Sequence, residues 1–154
     1  MRILFVCLGN ICRSPTAEAV LRHKLRELGL EAAIEVDSAG TGDWHVGKPP
    51  DSRTRQAAQL RGYDLCALRG RQVSVSDFSR FDLILAMDNS NLEHLQRLRP
   101  GGSTAELDLF LRRYDLALDE VPDPYYGGDE GFEQVLDLLE QACDGLLREL
   151  RVQP

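Results

Sequence analysis

The sequence has no apolar run long enough to span a bilayer. The run near its start, Ile3-Leu4-Phe5-Val6, is too short for the apolar core of a secretion signal, so no membrane insertion is expected and the chain is placed in the cytoplasm. Basic residues are in the minority: 18 Lys and Arg stand against 25 Asp and Glu, a formal net charge of -7. No basic block interrupts the chain, so no nucleic acid is expected as a partner. Cysteine is scarce and scattered. Four cysteines spread over 154 residues do not make the disulfide framework of a small secreted domain, and reduced thiols are expected. His23, His45 and His94 fall at no ligand spacing with cysteines or carboxylates, so neither a metal site nor a cofactor is expected. Repeats and low-complexity linkers are also lacking. Residues 1–154 read as one domain, near the commonest domain size and able to bury a core without staples.

What is present is a junction. The apolar run Ile3–Val6 passes into Cys7-Leu8-Gly9-Asn10-Ile11-Cys12-Arg13-Ser14-Pro15 and then into a helical pattern. Ser14 is a residue type that caps helices, and Pro15 suits a first helical position because its missing N–H has no partner there anyway. A helix N-terminus offers unpaired N–H groups and partial positive charge to an anion. Arg13, at the end of the loop, can fork two N–H groups onto two phosphate oxygens. The same field favours a thiolate at Cys7, the nucleophilic form of cysteine. The spacing C-x5-R is common by chance, so its place between a strand and a helix carries the reading. Asn10 tolerates left-handed backbone and can shape the loop.

Strand and helix alternate along the rest of the chain. Ala17, Val20, Leu21, Leu25 and Leu28 give a first helix that Gly29 stops. Ala33–Val36 reads as a second strand, leading into Ser38 and a long Gly-rich loop from Gly40 to Pro50, and loops of that length are usually functional. Asp51 or Ser52 caps a helix through Ala57, Ala58 and Leu60, ended by Gly62, and an irregular passage follows through Gly70. Phe81–Met87 is an apolar run suited to a strand buried on both faces. Asp88 reads as the cap of a helix carrying Leu92, Leu95 and Leu98, and Pro100-Gly101-Gly102 breaks that pattern. Ala105–Leu107 is the expected fourth strand, with Leu109–Leu111 beside it. The stripe from Phe132 to Leu150 is a last helix of about five turns. This order predicts an α/β fold with right-handed crossovers, a parallel sheet and helices on both faces. Ligands of open α/β sheets bind beyond the carboxyl ends of the strands. The Cys7 loop, Ser38, Asp88 and the Trp44 loop all follow strands and are expected to share one cleft.

The run Val6–Glu18, with Asp123-Pro124-Tyr125-Tyr126 near the other end, resembles the low-molecular-weight protein tyrosine phosphatases. Further matches at Asp37–Thr41, Trp44–Gly47 and Met87–Asn91 spread the resemblance over nearly the whole chain. It implies a three-layer, flavodoxin-like α/β/α fold whose four parallel strands lie in the order 2-1-3-4. It also implies hydrolysis of phosphotyrosine through a phosphocysteine. In that reaction Cys7 is the nucleophile and Arg13 the phosphate clamp. Leu8, Gly9, Asn10, Ile11, Cys12 and Ser14 form the cradle. The resemblance assigns the acid to Asp123, held between Pro122 and Pro124 and acting as base in the second step. Trp44, Tyr125 and Tyr126 are aromatics in expected loops, suited to wall a slot that a phosphotyrosine ring can enter, although ordinary packing also fits Trp44. The implied partner is a tyrosine-phosphorylated protein, with a tyrosine kinase among the candidates.

Some roles stay open on sequence. Ser14 can donate its hydroxyl to Cys7, cap the helix, or do both. Cys12 either packs the loop or traps an oxidised Cys7 as a disulfide. Cys66 and Cys143 read as small buried hydrophobes. An arsenate reductase with the same loop, or a module that binds phosphotyrosine without cleaving it, are the alternatives. The first needs further thiols to relay electrons, and the second usually lacks one of Cys7 and Asp123.

Overall fold

A computed structural model describes residues 1–124 and 128–152. Four strands, β1 (Arg2–Cys7), β2 (Glu35–Gly40), β3 (Leu83–Ala86) and β4 (Glu106–Leu109), form one parallel sheet in the order β2-β1-β3-β4. This is the flavodoxin-like order expected. The helices are α1 (Arg13–Glu27), α2 (Ser52–Leu60), α3 (Asp77–Arg80), α4 (Asn89–Leu98), α5 (Phe110–Arg113) and α6 (Asp129–Val152).

Strand alternation divides the core into two layers. Ile3, Phe5 and Cys7 of β1 and Leu83 and Leu85 of β3 face α1 and α6, with Phe110 and Leu139 packed against them. Leu4 and Val6, with Ile84 and Ala86, face the other way, onto Phe78, Leu92 and Leu95 of α3 and α4. Both faces are therefore covered, which is why β1 and β3 read as unbroken apolar runs rather than alternating ones. Phe5 is fully buried against Phe110, ring centroids 5.0 Å apart, and truncating such a ring costs about 3–5 kcal/mol. Gly29 has φ +70° where α1 ends. Leu30 N–H returns to Leu25 O there at 2.9 Å, a helix stop that glycine adopts without steric cost. None of the described helices is long and apolar enough to cross a membrane.

Three expectations are corrected. The second strand runs Glu35–Gly40 instead of Ala33–Val36, because its register pairs Arg2 with Glu35 and Cys7 with Gly40, leaving Ala33 exposed in a turn. β4 begins one residue later and ends two later than expected, and Phe110 and Leu111 open α5 instead of continuing beside the strand. Cys66 is exposed in the segment after α2, whereas Cys143 is buried in α6 as expected.

Candidate active site

The sheet's carboxyl edge gathers the chemistry. β1 ends at Cys7, and α1 begins only six residues later, so Leu8–Cys12 must turn back within one short loop. Asn10 makes that turn with φ 57°, the left-handed conformation that asparagine tolerates better than most residues. The end of β2 presses against the same loop. A Cβ on Gly40 would meet the Leu8 carbonyl oxygen at 2.8 Å, so only glycine lets strand and loop lie this close.

The helix starts earlier than its sequence signals suggest. Cys12 occupies the N-cap of α1 without a side-chain cap bond, Arg13 is the first helical residue, and Pro15 is the third. Ser14 is therefore not the cap. Its hydroxyl turns inward to the nucleophile candidate, 3.0 Å from Cys7 Sγ. Asn10 N–H adds a second contact to the sulfur at 3.3 Å. The first-turn N–H groups of α1 have no intrahelical acceptors and face the loop end, which suits an anion.

Arg13 is almost fully buried, yet its guanidinium is well partnered. Nη1 donates to Asp88 Oδ2 at 2.8 Å and to the Val121 carbonyl at 3.0 Å, while Nη2 lies 3.7 Å from Asp123 Oδ2. Burial opposes its charge, but Cys7, Asp88 and Asp123 together outweigh that penalty and raise its pKa. Asp88 has two tasks. Oδ1 caps α4 by accepting Asn91 N–H at 2.8 Å, with Asn91 Oδ1 returning to Asp88 N–H, and Oδ2 anchors Arg13. The capping role matches the sequence reading, and the anchoring role is new.

A cleft of about 390 Å³ opens over Cys7. Leu8, Gly9, Ile11, Cys12 and Arg13 form its floor and near wall, Trp44 and His45 stand on one side, and Asp123 on another. Trp44 leans on Gly42, where a Cβ would collide with the indole, and remains 64 % exposed. Cys12 packs against Phe132 and Ile11, with Thr54 beside it, and burial pushes its thiol pKa up to about 12. The structure thus brings Cys7, Arg13, Asp123, Leu8, Gly9, Ile11, Cys12 and Trp44 to one cavity. Asn10 and Ser14 support it from below. Tyr125 and Tyr126 lie outside the described residues. Among the described residues no group of three or more His, Cys, Asp or Glu gathers as a metal-ligand set.

Sequence reasoning missed His45, the Asp88 anchor and a buried polar cluster under the loop. Asn10 Nδ2 donates to Ser14 Oγ at 2.8 Å and to Ser38 Oγ at 3.0 Å, and Ser38 donates to Glu18 Oε1 at 2.7 Å. Glu18 carried a readable signal: it lies four residues after Ser14 and three before Leu21, on the stripe of α1 that faces the core.

Known proteins share this chain's sequence pattern and its fold. The family model described as low molecular weight phosphotyrosine protein phosphatase matches residues 2–153. The low molecular weight protein-tyrosine-phosphatase of Streptomyces coelicolor is 47 % identical over 156 residues, covering 99 % of this chain and 94 % of its own. A crystal structure of an Entamoeba histolytica protein tyrosine phosphatase with Hepes in its active site superposes with a TM-score of 0.93 at 43 % identity, covering 98 % of this chain and 97 % of that one. The Drosophila arginine phosphatase reaches the same TM-score at 34 % identity, with each chain covered in full.

Proposed function

The chain belongs to the low molecular weight phosphotyrosine protein phosphatase family, and from that premise we propose that it hydrolyses phosphotyrosine in proteins, as one phosphatase domain in a reducing, cytoplasmic compartment. The observation that carries the reading is the convergence of Cys7, Arg13 and Asp123 on one cleft. The Cys7 thiolate attacks phosphorus in line with the departing phenolate. The P–O bond breaks as the S–P bond forms, and Arg13 and the first-turn N–H groups hold the equatorial oxygens. A phenol has a pKa near 10, so its oxygen leaves faster with a proton, and general acid help is worth roughly a hundred- to ten-thousandfold. Asp123 gives that proton. Its carboxylate then takes one from the water that cleaves the phosphocysteine and frees Cys7. Asp88 and the Val121 carbonyl hold Arg13 by Nη1, and Nη2, 3.7 Å from Asp123 Oδ2, is the edge proposed to meet the phosphate.

The walls favour an aromatic ester. Leu8, Ile11 and Trp44 present apolar surface above the sulfur, and Asp123 is the one carboxylate among the described lining residues. A phosphorylated guanidinium, the substrate that the name of the Drosophila neighbour indicates, would bury its positive charge against those apolar walls. A tyrosine ring would instead gain by covering Trp44. The arsenate reductase reading lacks its relay: Cys143 is sealed in the core, where burial raises its thiol pKa further, and Cys66 is exposed on another segment.

Cys12 is proposed as the trap for an oxidised nucleophile. Peroxide takes Cys7 thiolate to the sulfenic acid, releasing hydroxide. The Cys12 sulfur then displaces water from it and forms the disulfide, which an external thiol reduces. Burial keeps Cys12 protonated, so it does not compete with Cys7 for phosphorus.

Side-by-side assays with a phosphotyrosine peptide, a phosphoarginine peptide, para-nitrophenyl phosphate and arsenate, each with the wild type and Cys7→Ser, test the reading. Turnover of the tyrosine and nitrophenyl esters that vanishes in Cys7→Ser is expected. Phosphoarginine or arsenate as the better substrate contradicts it.

A further inference from the structure

The segment that carries Asp123 has no helix or strand of its own: after α5 the chain runs without regular structure from Leu116 to Pro124. A side chain there keeps a fixed place only if its backbone is tied to something rigid. The ties lie at the carboxyl end of β3, where Met87 O accepts Val121 N–H at 2.8 Å and Asn89 N–H donates to Glu120 Oε2 at 2.7 Å. Asp88, between those two residues, holds Arg13 through Oδ2. Met87, Asp88 and Asn89 therefore set the place of both the phosphate clamp and the segment bearing the acid, and the Val121 carbonyl joins the two by accepting from Arg13 Nη1 at 3.0 Å. The Asn89 bond has a clear cause. Asn89 is the first residue of α4, so its N–H has no acceptor within the helix. Asp88 is the cap, but its Oδ1 is committed to Asn91 N–H and its Oδ2 to Arg13. The acceptor comes instead from Glu120, whose carboxylate also suits the positive end of the helix.

We propose that Glu120 is a positioning residue for the general acid. The tie at Val121 fixes where the segment crosses the end of β3 but leaves it free to turn about that point, and the neighbouring tie at Glu120 removes that freedom. Asp123 lies two residues beyond Val121, and Pro122 between them has its own φ fixed by its ring, so a turn at Val121 is passed on to the Asp123 carboxyl. On the far side Pro124 is buried, with Gly131 of α6 against it. Glu120 itself is exposed and is not among the described residues that line the cleft over Cys7. It touches no reacting atom. Its effect on the reaction passes through the place of Asp123.

This rests on Asp123 being the acid, so the test reads leaving groups. kcat/KM is measured for a phosphotyrosine peptide and for aryl phosphates of increasingly acidic phenols, in wild type, Glu120→Ala, Glu120→Gln, Asp123→Asn and the double variant that combines Glu120→Ala with Asp123→Asn. Glu120→Ala is expected to lose about three- to tenfold on the peptide, a part of the roughly hundred- to ten-thousandfold that a placed acid supplies, and less than about twofold on the ester of the most acidic phenol. Glu120→Gln keeps an acceptor for Asn89 N–H and recovers most of the loss, which an effect of the Glu120 charge alone would not. In the double variant the Glu120 change adds no loss on the peptide beyond that of Asp123→Asn, because the group it aims is already gone. An unchanged peptide rate in Glu120→Ala, equal losses on every ester as a lost cap of α4 would give, a loss that persists in Glu120→Gln, or losses that multiply in the double variant each overturn the proposal. Leaving-group dependence in Asp123→Asn without any in Glu120→Ala removes the positioning role and keeps the acid. No leaving-group dependence in Asp123→Asn removes the acid assignment and the proposal with it.

Discussion

The anion loop has two sides, and they are built in opposite ways. Beneath it, Asn10, Ser14, Ser38 and Glu18 are polar and each no more than 5 % exposed, every one bonded to another member of the cluster. Above it, Leu8 is 44 % and Trp44 64 % exposed, apolar surface turned to water. Buried polar groups are costly unless fully partnered, and once partnered they hold one arrangement. Exposed apolar walls cost little until a ligand covers them. On the proposed function, the underside is the part that holds the sulfur and its phosphate still, and the mouth is the part that selects what the phosphate is attached to.

Substitutions on the two sides should separate accordingly. Cys7→Ser removes the nucleophile alone and should abolish turnover while inorganic phosphate still binds, as calorimetry would read, because Arg13 and the α1 terminus remain. Turnover at a substantial fraction of wild type would end the assignment. Asp123→Asn comes next, with kcat for a phosphotyrosine peptide falling about a hundred- to ten-thousandfold and the loss much smaller for an ester of a more acidic phenol. Equal losses across leaving groups would move Asp123 from chemistry to binding. At the mouth, Trp44→Ala should raise KM for the peptide about tenfold and change kcat less than about twofold, the pattern of lost uniform binding. A kcat loss as large as the KM change would dissolve the division between floor and mouth. The smallest effect on basal rate belongs to Cys12→Ser, which should keep most activity yet lose much of the thiol-driven recovery after peroxide. Unchanged recovery, with no peptide linking Cys7 to Cys12, would leave Cys12 as packing against Phe132.

The elements that position the loop were legible because they are apolar and periodic: Ile3–Val6, Phe81–Met87 and the stripe of α6 are read directly from residue type. The second strand was misplaced because its last four residues include Asp37, Ser38 and Gly40, residues that look like a turn. Ser38 is polar there because it serves the cluster under the loop, and Gly40 is small because Leu8 presses on it. Helices α3 and α5, four residues each, are shorter than any period can register. Ser14 misled for a related reason. Serine before proline signals a cap, but here the hydroxyl is spent on Cys7. The motif residues Cys7, Arg13 and Asp123 could be named from sequence, while the groups that hold Arg13 and the loop residue Asn10, which are Asp88, Val121 and Ser38, come from three other segments and needed the fold to bring them together.

The most direct test of the account is the covalent intermediate itself. Asp123→Asn, mixed with excess phosphotyrosine peptide and quenched in acid on the millisecond scale, should yield a digest in which the peptide containing Cys7 carries a phosphoryl group, and Cys7→Ser should yield none. A phosphoryl group on any other residue, or phosphotyrosine hydrolysis with no covalent enzyme species at any time, would contradict the central claim.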